Sequence, residues 1–193
     1  MKNTENLKND FNLCPMCGSK KIVNQGNRKW ICDDCGFELY CNVAAAVGIV
    51  IYDKDYNVLF EIRAKEPKKG KACLPGGFVD FDESAEAAIK RELCEELGIR
   101  IETFEYLCSY PNIYEYKNLE YRTCDIFFAA RIADEYDGMN EYIKHLRPEK
   151  GEVSDLAVFR VKTKEDIEKI PLAFESANKT LLKFVECNKR RQF

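Results

Sequence analysis

Gly77-Phe-Val-Asp-Phe-Asp-Glu83-Ser-Ala-Glu-Ala-Ala-Ile-Lys-Arg91-Glu92-Leu93-Cys-Glu95-Glu96-Leu97-Gly98-Ile99 passes from a glycine-bearing loop into an amphipathic segment. The pattern predicts a helix from about Ser84 to Leu97, closed by Gly98 as its C′ residue. Glu92, Glu95 and Glu96 are spaced i, i+3 and i+4, so one helix face carries all three. Ile89, Leu93 and Leu97 form a neighbouring apolar stripe that would dock the helix onto a sheet. Carboxylates crowded in this way repel one another, so cations must offset the repulsion or their pKa values must rise. An oxygen-only ligand set suits Mg²⁺ or Mn²⁺, which keep several waters and bridge to phosphates. In a Glu-rich helix taken by itself, an exposed acidic face paired with Lys90 or Arg91 is the ordinary reading.

Upstream, Val43-Ala-Ala-Ala-Val-Gly-Ile-Val-Ile-Tyr52 reads as a strand. Asp53-Lys-Asp-Tyr-Asn57 has the turn chemistry to join it to Val58-Leu-Phe-Glu-Ile-Arg63 as a hairpin. Pro67 to Gly70 makes a loop, and Leu74 to Val79 carries the glycine pair. Downstream, Glu102–Tyr110, Tyr121–Arg131 and Val153–Val161 read as strands, with a charged loop over Ala133–Gly151. Lys164–Glu186 holds helical segments broken at Pro171. Strands, helix, strands, helix describe a mixed α+β domain.

The front of the chain has a different texture. Cys14-Pro-Met-Cys17 and Cys32-Asp-Asp-Cys35 are two C-x-x-C knuckles separated by fourteen residues, each followed by a glycine, Gly18 or Gly36, that eases a tight turn. This spacing suits a closed four-thiolate site, structural rather than catalytic, for Zn²⁺ or for iron. A piece of this size needs such an ion to fold. Residues 1–40 are therefore assigned to a small zinc ribbon and 41–193 to the main domain. The six other cysteines, Cys41, Cys73, Cys94, Cys108, Cys124 and Cys187, read as small buried hydrophobes.

The ribbon resembles nucleic-acid readers, but Lys2, Lys8, Lys20, Lys21, Arg28 and Lys29 face Glu5, Asp10, Asp33, Asp34 and Glu38, too little excess charge for a groove binder. Trp30 offers one stacking surface. Composition excludes other classes. The 193 residues are 46% hydrophobic, and Lys+Arg 30 against Asp+Glu 33 gives a net charge of -3, so no whole-protein field draws the chain to nucleic acid or membrane. No apolar run is long enough for a span, and the Met1–Asp10 opening is polar rather than signal-like. A cytoplasmic protein with reduced thiols is expected.

The glutamate segment resembles the Nudix box, G-x5-E-x7-R-E-U-x-E-E-x-G-U with U aliphatic, and every defined position matches. Leu74-Pro-Gly-Gly77 before it is also typical of that family. Phe81-Asp82 replaces the commoner Pro-Gly before Glu83, and Ala72-Cys73 stands where tryptophan often precedes Leu-Pro-Gly-Gly. The resemblance covers about Asn42 to Glu186. It implies a Nudix α/β/α sandwich with a mixed sheet, preceded here by the ribbon, and metal-dependent hydrolysis of a diphosphate bond. It also implies that Glu92, Glu95 and Glu96 ligate Mg²⁺ or Mn²⁺, with the Gly77 carbonyl completing a metal shell. Arg91 and Glu83 support the loop–helix geometry by ion pairing. The general base is Glu92 or a loop acid, Glu149 or Glu152.

A ribbon followed by this box resembles bacterial NADH pyrophosphatases, which carry an S-Q-P-W-type motif after the box. Here Ser109-Tyr110-Pro111-Asn-Ile-Tyr114 stands in that place, keeping the Ser and Pro but not the Gln and Trp. Ser109, Tyr110, Pro111 and Tyr114 are the substrate-binding candidates, and Tyr110, Tyr114 and Tyr116 are aromatic faces on which a nucleobase could stack. NADH, NAD or ADP-ribose-like nucleotides lead as substrate. A dinucleoside polyphosphate or a nucleoside triphosphate stays open. The rival class is a nucleotide sensor or nucleic-acid-binding regulator without activity, on the same fold. His145, the only histidine, lies in the variable loop and is incidental. A homodimer is suggested by the family alone.

Overall fold

The computed structural model describes residues 11–26, 28–116 and 119–191. The polar Met1–Asp10 opening and its charges, Lys2, Glu5, Lys8 and Asp10, lie outside the described residues, as does the side chain of Tyr116. Two compact units are present, one running up to Ala44 and including Ile113–Arg122, the other made of Ala45–Asn112 and the described residues from Thr123 onward.

In the first unit, strands β1 (Ile22–Gln25), β2 (Lys29–Cys32) and β3 (Glu38–Tyr40) form an antiparallel three-stranded sheet. Trp30 is fully buried there, with the Phe11 ring set edge-on at 4.8 Å. The stacking surface expected at Trp30 is therefore spent inside the ribbon, because so small a unit needs its one tryptophan as core.

The second unit holds most of a six-stranded sheet. After β4 (Ala44–Tyr52), β5 (Asn57–Arg63) and the short β6 (Ala72–Cys73) come helix α1 (Ala85–Leu97), the long strands β7 (Glu105–Tyr116) and β8 (Leu119–Arg131), and helix α2 (Met139–Tyr142). Strand β9 (Val153–Arg160) and helices α3 (Lys164–Ile167) and α4 (Glu175–Arg191) complete it. The strand order is β6-β5-β4-β8-β7, with β9 paired to β5 and a parallel bridge between Ala72 and Leu172. Alternation along the strands feeds two cores. Val47, Ile49, Ile51 and Leu59 pack with Ile89, Leu93 and Leu97 of α1. Val50, Val58 and Phe60 pack with Leu181, Phe184 and Val185 of α4. Helices thus cover both sheet faces, the α/β/α sandwich implied by the box.

The expected β4–β5 hairpin closes at Tyr52↔Val58 and then opens. Beyond that pair, the backbone around Pro75–Val79 takes the place beside β4, through Ile49 N–H to Pro75 O (3.0 Å), Val47 N–H to Gly77 O (2.8 Å) and Val79 N–H to Ala45 O (3.1 Å). Strand β5 instead pairs along its whole length with β9, from Asn57↔Arg160 to Arg63↔Val153. Strand β7 begins later than expected and runs on through Pro111, which a sheet edge tolerates because no inward ladder bond is lost. The 133–151 loop carries α2 and a short 3₁₀ turn, Ile143–His145. The break around Pro171 leaves α3 and α4 on either side.

Of the six single cysteines, Cys73 and Cys108 are buried, Cys41 and Cys187 half-buried, and Cys94 and Cys124 exposed. Cys94 follows Leu93 onto the outer side of α1. Cys124 points outward because Thr123 and Asp125 point in, where their side chains bond each other (2.6 Å) and Ser176 donates to Asp125 (2.7 Å).

Candidate active site and metal centre

Helix α1 starts from Ser84, whose hydroxyl accepts the Ala87 N–H (3.2 Å), and stops at Gly98 in the left-handed region. Docking of Ile89, Leu93 and Leu97 turns the glutamates toward the Pro75–Val79 segment to unequal depths. Glu96 is buried, Glu92 nearly so and Glu95 exposed. Glu96 Oε2 accepts the Gly76 N–H at 2.9 Å. The Glu92 carboxylate lies so close to Gly77 that a Cβ there would meet its Oε1 at 2.4 Å. Gly76, at φ 135, presses on β4, where a Cβ would meet Val47 O at 2.2 Å. The two glycines thus let one strip of backbone pass between β4 and the carboxylates.

Arg91 ties the helix to the loop. Its Nη2 donates to Glu83 (2.5 Å) and to Phe78 O (2.9 Å), and its Nη1 reaches Glu92 (2.9 Å) and Glu95 (3.1 Å). Glu83 also accepts the Asp80 N–H (3.0 Å) and is held below the usual carboxylate range, chiefly by Arg91. The opposite shift marks the inner acids. Burial raises Glu92. Burial, with the charges of Glu92 and Glu152 added, pushes Glu96 up to about 8 despite the Gly76 N–H.

Glu61 of β5 was not among the residues expected at this site. It is 3% exposed, its carboxyl is driven well above the ordinary value by burial and then by Glu96 and Glu92, and its Oε1 has no hydrogen-bond partner among the described residues. A lone acid inside the apolar run Val58–Arg63 was the available signal. Glu152 sits at the mouth of the β5–β9 pair, exposed and bonded to Lys65 (2.8 Å), with its carbonyl accepting the Ala64 N–H. Glu149 donates its N–H to Glu96 O (2.8 Å).

The donor set fits a hard divalent cation: carboxylate oxygens at graded depth, one of them orphaned in the interior, beside a backbone strip that only glycine permits. The Gly77 carbonyl accepts one N–H, from Val47, and keeps a second lone pair. Among the described residues, only Cys14, Cys17, Cys32 and Cys35 bring three or more such ligand atoms within 4.8 Å of one another. The glutamates are not so gathered, and Arg91 spans two of them.

In the ribbon, Cys14 and Cys35 sulfurs stand 3.7 Å apart, as do those of Cys17 and Cys32. The edge of a tetrahedron with metal–sulfur bonds of about 2.3 Å is about 3.8 Å, so the four thiols fit one thiolate-bound ion. A backbone N–H at Cys35 lowers Cys32 to about 7. The neighbouring sulfurs and burial push Cys17 up to about 12 although the Ser19 N–H draws it down.

The substrate candidates are spread out. Ser109 and Pro111 are exposed along β7, and the Tyr106 hydroxyl reaches Ser109 at 3.4 Å. Tyr110 points to the other face and packs with the α4 core. Tyr114 is half-buried in the other unit. His145 packs edge-on against Tyr136 at 5.4 Å. Among the described residues, no helix is long and apolar enough to cross a membrane.

Comparison with known proteins places this architecture. An NAD-capped RNA hydrolase, NudC, of Deinococcus radiodurans is 26% identical over 174 residues, 88% of this chain and 55% of that protein. An ADP-ribose pyrophosphatase of Methanocaldococcus jannaschii is 40% identical over 81 residues, 42% of this chain and 44% of that protein. The chain therefore spans about half the length of these curated relatives. The crystal structure of a NUDIX hydrolase from Nitrosomonas europaea shares the fold with a TM-score of 0.60 at 22% identity, covering 93% of each chain. The family model for the NUDIX domain matches residues 43–178. Because that match runs from just before β4 into α4, it takes in every element that frames the carboxylates, and the chain belongs to the NUDIX domain family.

Proposed function

We propose that the chain is a pyrophosphohydrolase that splits the diphosphate bond of a nucleoside diphosphate derivative, with NADH, NAD or ADP-ribose as the leading class. The observation that carries this reading is the placement of Glu92 and Glu96 on the Gly76–Gly77 backbone strip, Glu96 bonded to the Gly76 N–H and Glu92 against Gly77. The names of the two relatives, an NAD-capped RNA hydrolase and an ADP-ribose pyrophosphatase, support the substrate class. In this reading residues 1–40 are a zinc ribbon held by Cys14, Cys17, Cys32 and Cys35, and 41–193 are the hydrolase domain.

Glu92, Glu95 and Glu96 would hold Mg²⁺ or Mn²⁺, with Gly77 O as a further oxygen. When bound, such an ion supplies charge neutralisation on the phosphate oxygens and a more acidic water. The protein's own part is orientation. Arg91, fixed by Glu83 and Phe78 O, limits where Glu92 and Glu95 can turn. The proton of the attacking water goes to Glu92 or to Glu152 at the rim, and kcat against pH for Glu92→Gln and Glu152→Gln separates the two. On the substrate side we assign Ser109 and Pro111, exposed along β7, to recognition of the nucleotide, and not Tyr110, which packs with the α4 core, or Tyr114, which belongs to the other unit.

The test is a substrate panel of NADH, NAD, ADP-ribose, dinucleoside polyphosphates, nucleoside triphosphates and NAD-capped RNA with Mg²⁺ or Mn²⁺. AMP or an AMP-ended product is expected from at least one dinucleotide. Glu95→Gln or Glu96→Gln should cut turnover by about 100-fold or more, with fold and zinc content kept. Full activity in either variant removes its assigned role. Binding of an intact panel member with no turnover makes the chain a nucleotide sensor.

A further inference from the structure

Strand β5 contributes a side chain that the proposed reaction has not used. Residues two apart on a strand share a face. Leu59 packs with α1, so Glu61 points to the α1 face as well, level with Cys73 on β6 and Leu156 on β9, and Leu156 also packs toward α1. There Glu61 stands within electrostatic reach of Glu96 and Glu92. It is 3% exposed, and its Oε1 has no hydrogen-bond partner among the described residues. A buried carboxylate without a partner is costly, and nature pairs it or gives it a metal. The charge of Arg63 offsets part of that cost, but among the described residues no cation bonds the Glu61 Oε1. Arg63 donates Nε to Pro67 O (2.7 Å) and lies over the Phe174 ring at 5.3 Å, while Arg91 serves Glu83, Glu92 and Glu95.

Resting on the Nudix reading above, we propose that Glu61 is a fourth carboxylate of the divalent-cation site and, with the buried Glu96, provides a cation position that fills without nucleotide. Glu95, exposed at the outer end of the same helix, belongs to the part of the site that solvent and substrate reach. Occupancy of the cation position offsets the repulsion among Glu61, Glu92 and Glu96. The ligand class is a small, hard divalent cation, Mg²⁺ or Mn²⁺, because every donor is oxygen.

The experiment is a Mn²⁺ titration of zinc-replete protein in the absence of nucleotide, with free Mn²⁺ read by electron paramagnetic resonance. Wild type should bind a tight Mn²⁺. Glu61→Gln, nearly isosteric, should weaken that binding by at least about tenfold, and its metal-free melting temperature should equal or exceed wild type because a neutral amide replaces a buried acid that is costly to ionise. Glu61→Asp, which keeps the charge on a shorter stem, should fall between the two in affinity and serves if Glu61→Gln does not fold. Wild-type affinity in either variant overturns the assignment, and so does the absence of nucleotide-free Mn²⁺ binding in wild type. The readout needs no turnover: tight Mn²⁺ binding that depends on Glu61, in a protein that cleaves no member of the panel, would count against the proposed reaction and leave this assignment standing.

Discussion

Asp53 shows how much one side chain can hold. Its two oxygens accept the N–H groups of Asp55 and Asn57, the Asn57 side-chain amide and the N–H of Met139, each at 2.9 Å. Burial by itself would raise this carboxyl, but those four donors outweigh it and hold Asp53 below the usual carboxylate range. Sequence reading takes Asp53 as a turn residue, which it is, but gives no sign that Met139, far along the chain, also depends on it. Asp53→Ala should cost about 2–4 kcal/mol by stranding buried donors, and Asp53→Asn less, since Oδ1 survives. Chemical denaturation of both variants checks the order, and equal, negligible losses would show that the turn closes without the hub. The inner glutamates give the opposite pH signature. Glu96 is raised to about 8, and Glu92 is raised by burial as well, whereas an unfolded carboxyl stays near 4.5. The folded state therefore holds protons that the unfolded chain has released. The stability they lend is complete below the unfolded value and is lost as pH rises toward 8. Asp53 and Glu83 shift downward, and their stabilisation is lost only at more acid pH, outside that window. The melting temperature of zinc-loaded protein without Mg²⁺ should fall from pH 5 to pH 8, by about 2–4 °C per ~1 kcal/mol, and saturating Mn²⁺ should flatten the fall. A melting temperature that climbs across the window would contradict these shifts.

At the scale of elements, the loop and helix of the box act together. The i, i+3, i+4 spacing placed the three glutamates on one helix correctly, and the apolar stripe predicted how that helix docks. It could not show that docking grades them from buried Glu96 to exposed Glu95, because depth depends on the strip Pro75–Val79, a long-range partner of β4. The same strip explains why the β4–β5 hairpin opens after Tyr52↔Val58: local turn chemistry fixes the closed end, and tertiary pairing decides the rest. Glu61 escaped sequence reading for a related reason, since its strand pairs with β9 and so faces α1. The strip also gives a separable test. Gly77→Ala places a methyl against the Glu92 carboxylate, a movable side-chain end, so turnover should fall by about tenfold or more with little change in melting temperature. Gly76→Ala places it against Val47 O and strains a φ of 135, so the fold itself should lose about 1–3 kcal/mol. Parallel measurement of kcat and melting temperature distinguishes the two, and equal effects at both positions would mean that the strip is softer than its contacts imply.

Across the whole molecule, the two units depend on different forces. The larger one buries two apolar layers on opposite faces of one sheet, as the strand and helix patterns required. Among the described residues of the ribbon, Trp30, Cys14 and Cys32 are buried while Phe11 stays largely exposed, and its four cysteines are gathered in one cluster. Its charges were readable too, but the burial of Trp30 was not, because an aromatic in so short a sheet serves as core when nothing else is large enough. Loss of the ion should therefore act on one unit. Cys17→Ser is expected to remove the bound zinc, about one equivalent per chain by metal analysis, since three thiolates no longer close the tetrahedron. Amide exchange in β1, β2 and β3 should then rise to near unprotected rates, because so small a sheet has no core to replace the ion. Amides of β4, β5 and β9 should keep their protection, since the layers around Leu59 and Phe60 contain no zinc ligand. Global loss of protection in Cys17→Ser would mean that the larger unit needs the ribbon to fold, and unchanged protection in β1–β3 would mean that the ribbon does not need zinc.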